Sequence, residues 1–509
     1  MKKLVALILA LALCVSMVSF AAAEAVPHIQ IMGYWEVGSL GGVDLNENHV
    51  AKKWQEDVGF TFEGLITPKD TFAVKVNTLL ASKDMPDIIR LEIANGFDVM
   101  NEYGMRGKFV KINDYLDMMP NYSAYLEKYP EIRKIMTADD GNMYGFPYRI
   151  FDYADCTYET ALIREDLLAK VGLTLEDCTT LEGLSNALLA LRDVCNPGGA
   201  VWGQREGYTA FMKKAGHLFD TFNGWWYNDE TGAFEYASES AKFKTLLEWL
   251  NQMYAQDVIH KDWTTLSDAA WEGLLAGGQC LFTIDRMNIC EDANFDSSFD
   301  FRPILNPAVD GKAAPQAKKA AIDYSMPWVI SAESENIETC IKAIDYAYGQ
   351  EAIKMMQCGV EGITYVPGDQ TAAGIEWKAK VFGLNLDNEE EGHYGVHGIE
   401  RFEFVRNEYN VTKTPGAYPQ IFVDFVAKVN EKSACATTQP AVKFTAEEYD
   451  VINGVGTSVQ TYLDEQVVLF VEGDRSFDEW EDFQNEIRAM GLEEVQAVYD
   501  AALARWNAL

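Results

Sequence analysis

Beyond its first twenty residues the chain has no long apolar run; charged residues break every hydrophobic stretch, and none reaches the length of about eighteen residues that a bilayer crossing needs. Cations are scarce, with 42 Lys and Arg against 78 Asp and Glu. The resulting formal charge of −36 repels polyphosphate and argues against nucleic acid or anionic membrane as a partner. There is no Cys-x-x-Cys, His-Glu-x-x-His or Gly-x-Ser-x-Gly, no phosphate loop and no dinucleotide fingerprint. Those gaps remove the familiar signatures of dithiol redox, zinc-protease, serine-hydrolase and nucleotide chemistry.

What is present begins with a leader. Lys2 and Lys3 precede an apolar run from Leu4 to Phe20, and the small residues Ala21-Ala22-Ala23-Glu24-Ala25 follow. This is the pattern of a bacterial secretory signal over residues 1–25, with a mature chain expected to start at Glu24 or Val26. A lipid anchor on Cys14 is not favoured, because Leu13 stands where lipoprotein processing prefers Gly or Ala and Cys14 lies inside the apolar run. Export outside the cytoplasm is the expectation. It permits disulfides among Cys156, Cys178, Cys195, Cys280, Cys290, Cys340, Cys358 and Cys435; Cys280 with Cys290 and Cys340 with Cys358 are the nearest pairs, and connectivity is left open.

The length exceeds one ordinary core and the hydrophobic content of 48% is that of a folded protein, so two lobes are expected. Ile29 to Trp35 reads as a strand, about Asn48 to Val58 as a helix, and Phe60 to Ile66 as a second strand. Asp70 to Ser82 has helical spacing with Phe72, Val76, Leu79 and Leu80 on one side, and leads through Met85-Pro86 into a strand at Asp87 to Leu91. This alternation predicts an α/β, doubly wound arrangement whose ligands meet loops beyond the carboxyl ends of the strands. Later come helices at Ser240 to Gln256 and Asn336 to Gln357, strands at Cys280 to Asp285 and Tyr324 to Ile330, and a surface loop at Asn306 to Lys319.

Val74 to Ile88, ending in Ala81-Ser82-Lys83-Asp84-Met85-Pro86-Asp87-Ile88, resembles a hallmark of extracellular solute-binding protein family 1, the sugar-importer type. Asp140 to Tyr148 and Ile163 to Leu173 are similar to two further family segments. Phe470 to Trp480, Met490-Gly491-Leu492, Tyr499-Asp500 and Gly359 to Tyr365 resemble its long, lipoprotein-like subgroup. The resemblance runs from about residue 29 to the C-terminus. It implies a periplasmic-binding-protein-like fold in which two discontinuous lobes close about a hinge over a small solute, carbohydrate above all, for delivery to the permease subunits of an ABC importer. By analogy, lobe one takes 26–155 and 318–365, and lobe two takes 156–317 and 366–509. A monomer without catalytic residues or cofactor is implied.

Sugars need aromatic faces for their C–H surfaces and planar polar groups for adjacent hydroxyls. Position selects the candidates. Trp35 and Glu36 end the first strand, Glu92 ends the strand after Pro86-Asp87, and Tyr148 and Arg149 lie near the first crossover. Trp225 and Trp226 follow Gly224 in an expected loop, where only one of the two should face a ligand. Asp285, Arg286 and Trp328 complete the set, whereas Trp54, Trp249, Trp480 and Trp506 sit in helical patterns and read as structural.

No metal site is expected. In Asp193 to Gly203, where some relatives carry a calcium loop, Asp193 and Asn196 offer too few side-chain oxygens. Asp44-x-Asn46-x-Asn48 lacks the turn glycine and the downstream Glu, and the glycines around His393 and His397 argue against helical ligand spacing. Three other readings stay beside the sugar importer: a peptide or other-solute binder of the same fold, a secreted glycoside hydrolase, and a sensor presenting its ligand to a membrane receptor.

Overall fold

A computed structural model describes residues 25–33, 43–93, 95–151, 159–286, 299–318, 322–371, 373–378, 397–399, 401–407 and 440–508, with isolated pieces at 409, 423–425, 427, 429 and 435–436. The strand His28–Gly33 pairs in parallel with Thr61–Ile66 on one side and Ile88–Arg90 on the other. Trp328–Ile330 adds an antiparallel fourth strand beside Ile88–Arg90. Trp35 lies outside the described residues, so the first strand is seen only as far as Gly33.

Local chemistry explains why these elements form where the sequence places them. The helix His49–Val58 starts at Asn48, whose side chain accepts from Ala51 N at 2.8 Å, and stops at Gly59 in a left-handed conformation. Helix Lys69–Ala81 buries Phe72, Val76, Leu79 and Leu80, the face expected from their spacing. Each such side chain contributes about 1.5–3 kcal/mol on burial. The Pro86-Asp87 turn has a definite role: the Asp87 carboxylate accepts from Gln30 N at 2.7 Å and from the Ser334 hydroxyl. It thereby ties three separate segments of the first lobe together.

Two large hydrophobic cores organise the chain. The first draws on residues from Ile29 to Ile150 and from Ile322 to Met356, and the second on Ala161 to Ile304 and Val459 to Leu492. Phe402, Phe404 and Val405, expected in the second lobe, pack in the first core instead. The cause is the strand Val405–Arg406, which pairs in parallel with Arg149–Phe151, itself flanked by Ile322–Asp323. The second lobe has a different sheet from the first. Its strand Glu159–Arg164 is central and antiparallel to both Phe282–Arg286 and Phe301–Ile304.

Three expected elements take another form. The long helix over 336–357 is two helices, Ile337–Ala347 and Gln350–Cys358, broken at Tyr348-Gly349. The 306–319 loop contains a tight hairpin, Ala308–Val309 against Lys312–Ala313, because Asp310 and Gly311 both take positive φ (49° and 82°) as a two-residue turn requires. Trp225, Trp226 and Tyr227 lie in the strand Trp225–Asn228, paired with Ala233–Tyr236, rather than in a loop.

Near the C-terminus a helical run crosses between the cores through Ala446–Val451, a π-helical turn at Ile452–Gly456, and Thr457–Glu472. Tyr449 and Asn453 reach Asp98 and Glu102 of the first lobe at 3.4 and 3.1 Å, while Leu463, Val467 and Phe470 enter the second core. The helix Leu492–Ala508 also touches both sides. Its Tyr499 stacks on Trp225, and its Arg505 pairs with Asp139 at 3.1 Å.

No disulfide joins Cys340 to Cys358, and none links Cys178, Cys195 and Cys280 among themselves; Cys290 lies outside the described residues. Among the described residues, no helix is long and apolar enough to cross a membrane.

Candidate functional site

The carboxyl end of Ile88–Arg90 and the segment Tyr148-Arg149 assemble a charged cluster on the first lobe. Arg90 Nη2 lies 2.6 Å from Glu92 Oε1, and both side chains are largely buried. The Arg90 guanidinium packs 5.4 Å from the Tyr148 ring centroid and 5.1 Å from that of Trp328. The Arg149 guanidinium also lies over the Tyr148 ring, 4.4 Å from its centroid. Arg149 and Arg406 share one oxygen of the buried Glu403, each at 2.6 Å.

The second lobe builds its cluster at the end of Phe282–Arg286. Asp285 has a fully buried side chain. Arg205 holds it with Nε on Oδ2 at 2.9 Å and Nη2 on Oδ1 at 2.7 Å; Lys214 reaches Oδ2 at 2.7 Å, and Arg286 N donates to Oδ1 at 2.8 Å. Burial pushes the Asp285 carboxyl up, but Lys214 and Arg205 outweigh it and hold the group below the ordinary carboxylate range. The Arg205 guanidinium also lies over Trp271, 5.1 Å from the ring centroid.

Nearby, a polar network joins the start of the Thr457–Glu472 helix to the aromatic hairpin. Asp464 Oδ1 accepts from Asn223 Nδ2 at 2.8 Å, Gln460 Nε2 at 2.9 Å and the Tyr208 hydroxyl at 3.1 Å. Tyr236 donates to Gln460 Oε1 at 3.2 Å.

The two lobes meet at Lys69. Its ammonium pairs with Glu206 and lies 3.6 Å from Asp268, both in the second lobe. Burial pushes the Glu206 carboxyl up, but Lys69, together with Lys214 and Arg205, brings it below its ordinary value. Glu206 adjoins Arg205, so the Asp285 cluster lies on the side of the second lobe that faces the first.

The sequence candidates sort into distinct places. Glu92, Tyr148 and Arg149 are brought together in the first-lobe cluster, with Tyr148 and Arg149 half-buried. Trp328 belongs to the same cluster but is 1% exposed, packed against Phe404 at 5.1 Å between ring centroids. It supports Arg90 from within the core and has no free face for stacking, contrary to expectation. Asp285 is likewise corrected: its oxygens are enclosed by Arg205 and Lys214, which leaves Arg286, with a side chain 36% exposed, as the accessible member of that pair.

Strand alternation separates the paired tryptophans. Trp225 stacks on Tyr499 at 4.2 Å and lies 5.0 Å from Tyr236. Trp226 turns to the other face, where it lies parallel to Phe222 at 6.1 Å. Trp35 and Glu36 lie outside the described residues. Sequence reasoning missed Arg90, Arg205, Lys214, Glu403 and Arg406: Arg205 and Lys214 meet Asp285, and Arg149 meets Glu403, across distant segments, while the near neighbours Arg90–Glu92 and Glu403–Arg406 belong to no recognisable motif.

Regions weighed for metals show other contacts. Asp193 pairs with Arg192 at 2.6 Å, and Asn196 Nδ2 donates to Ala200 O at 2.7 Å. The buried His397 ring meets His49 at 3.1 Å between Nδ1 atoms; His393 lies outside the described residues. Among the described residues no group of three or more His, Cys, Asp or Glu is arranged to hold a metal.

No family profile matches the chain. The fructooligosaccharide ABC transporter substrate-binding protein FusA of Streptococcus pneumoniae serotype 4 is 23% identical over 520 aligned residues, which span 92% of this chain and 89% of the relative. Among solved structures, an EF-hand mutant of S. pneumoniae FusA in complex with fructo-nystose superimposes with a TM-score of 0.73 at 19% identity, covering 94% of this chain and 99% of that one. The alginate-binding protein AlgQ2 without calcium ion superimposes with a TM-score of 0.72 at 20% identity, covering 95% and 99%. These relatives are two-lobed substrate-binding proteins, and the likeness spans both cores and the crossing helices. The chain thus has the fold of the two-lobed solute-binding proteins and is similar to them over nearly its whole length.

Proposed function

We propose that this chain is the extracytoplasmic solute-binding component of an ABC importer, that it captures an oligosaccharide between its lobes, and that it is not an enzyme. The observation that carries this reading is the alignment with a fructooligosaccharide-binding relative across nearly the whole of both chains. The geometry supports it. Glu92, Glu403 and Asp285 are each committed to arginine or lysine, an arrangement suited to fixed polar recognition. A hydrolase would need a carboxylic acid free to donate its proton across a bond from a second carboxyl.

The lobes we assign are 26–155 with 318–365, and 156–317 with 366–509, amended so that 402–405 goes to the first. Tyr148 and Arg149 from lobe one, and Trp226 and Arg286 from lobe two, form the solute-contacting set. Trp35 and Glu36 extend it from the first strand, and Glu92 orients Arg90. A secreted mature chain acting as a monomer with permease subunits completes the reading.

Calorimetric titration of the mature chain against kestose, milk-type oligosaccharides, mannosylated N-glycan fragments, alginate oligosaccharides and a peptide panel tests it. Binding to one carbohydrate class, lost on Tyr148→Ala or Trp226→Ala without loss of fold, is the expected result. Heat with peptides alone would redirect the assignment to another solute, and turnover of a bound oligosaccharide would overturn the non-enzymatic reading.

A further inference from the structure

The contact at Lys69 is built from both sides. Lys69 opens the helix Lys69–Ala81 directly after Pro68, which fixes the direction in which the chain enters the helix. Glu206 occupies a left-handed backbone conformation at φ 70°, rare for a residue with a β-carbon, and is followed by Gly207 at φ 66°. Gly207 N donates to Leu266 O at 3.2 Å, and a β-carbon there would lie 2.9 Å from Thr264 O. The turn that presents Glu206 is therefore held closely to the 264–266 segment. Asp268 follows that same segment at the start of the helix Asp268–Ala276, which Ser267 caps. Two helix starts in lobe two thus present carboxylates to one lysine of lobe one.

We propose that Lys69 sets solute affinity as a positioning residue, its ion pairs with Glu206 and Asp268 forming a clasp that favours the closed arrangement of the lobes. This rests on the interlobe-cleft reading given above. A binding protein's apparent affinity scales with the fraction of molecules already in the binding-competent arrangement. The Lys69, Glu206 and Asp268 side chains are 37%, 32% and 38% exposed, so the clasp is open to screening by salt and its effect is moderate. Removing it should lower the closed population, and with it the affinity, about two- to five-fold.

Small-angle scattering of the sugar-free mature chain tests the clasp itself. The comparison is between about 0.01 M salt, where the Debye length is about 30 Å, and about 1 M, where it is about 3 Å. The wild-type radius of gyration should increase with salt. Lys69→Met and Glu206→Gln should be expanded at both concentrations, and Lys69→Arg should behave as wild type. A merely structural lysine would show neither the salt response nor the arginine rescue. Equal radii for wild type and Lys69→Met at both concentrations would overturn the proposal.

With the tightest-binding sugar of the panel above, Lys69→Met should bind about two- to five-fold more weakly. Unchanged affinity would reject the link between clasp and binding. If no sugar in the panel binds, the scattering result still stands and the carbohydrate reading alone falls.

Discussion

Arg205 grips Asp285 through two parallel hydrogen bonds, Nε to Oδ2 at 2.9 Å and Nη2 to Oδ1 at 2.7 Å, across 80 residues of sequence. Lys214 takes Oδ2 as well, at 2.7 Å. One buried carboxylate therefore neutralises two cations that have little access to water.

Asp285→Asn should destabilise the second lobe by about 3–5 kcal/mol, because it strands both cations rather than removing a balanced pair. The folded carboxyl titrates below its unfolded value. Its contribution is therefore fully present above about pH 4 and disappears as pH falls through the lower folded value. Urea unfolding should show a wild-type advantage over Asp285→Asn at neutral pH that shrinks in acid. A neutral-pH difference under about 0.5 kcal/mol would contradict the assignment.

Asp98 behaves in the opposite sense. Burial raises its carboxyl to about 6, with Glu102 adding to the rise and the Tyr449 hydroxyl opposing it. The folded state thus holds this proton more tightly than the unfolded chain. The associated stability is present below about pH 4 and is lost as pH rises through about 6. Asp98→Asn, which needs no proton to remain neutral, should stabilise the protein at neutral pH by up to about 3 kcal/mol and by little in acid. Guanidinium unfolding at both pH values measures this, and a variant weaker than wild type at neutral pH would refute it.

The two adjacent tryptophans should separate in experiment. Trp225→Ala removes the stack on Tyr499 and should cost about 2–3 kcal/mol of stability. Trp226→Ala should cost less than about 1 kcal/mol of stability yet weaken oligosaccharide binding about tenfold. Thermal unfolding and calorimetry on both variants discriminate them. Equal stability losses would mean that the alternation of the strand does not decide their roles.

Asp87→Ala should cost about 1–3 kcal/mol, since Gln30 N and the Ser334 hydroxyl lose their acceptor together. Amide exchange should locate the loss at the first strand, with Gln30 the most affected. Uniform loss of protection across both lobes would argue against this local tie.

Several elements were legible because their causes are local. The Asn48 cap, the Gly59 stop and the apolar face of Phe72, Val76, Leu79 and Leu80 are encoded within one or two turns of helix. The break at Gly349 and the Asp310-Gly311 turn were also written locally, but continuous hydrophobic spacing hid the first and a polar, alanine-rich composition hid the second.

The placement of the candidate site was less legible. Glu92 sits at a strand end as its position in sequence suggests, yet nothing near Trp328 in sequence shows that Phe404 and Arg90 would enclose it. Asp285 could be placed at a strand end, but its enclosure by Arg205 and Lys214 depends on segments some 70–80 residues away.

By itself the sequence determined the secretory leader pattern, the α/β alternation and the resemblance to solute-binding proteins, since charge, periodicity and turn chemistry act over short distances. Only the tertiary structure decided which tryptophan stacks on Tyr499, that Arg205 and Lys214 enclose Asp285, that 402–405 packs in the first core, and that Lys69 reaches Glu206. Each of those is a contact between distant segments, fixed by burial and by the need of every buried charge for a partner, and no local pattern encodes it.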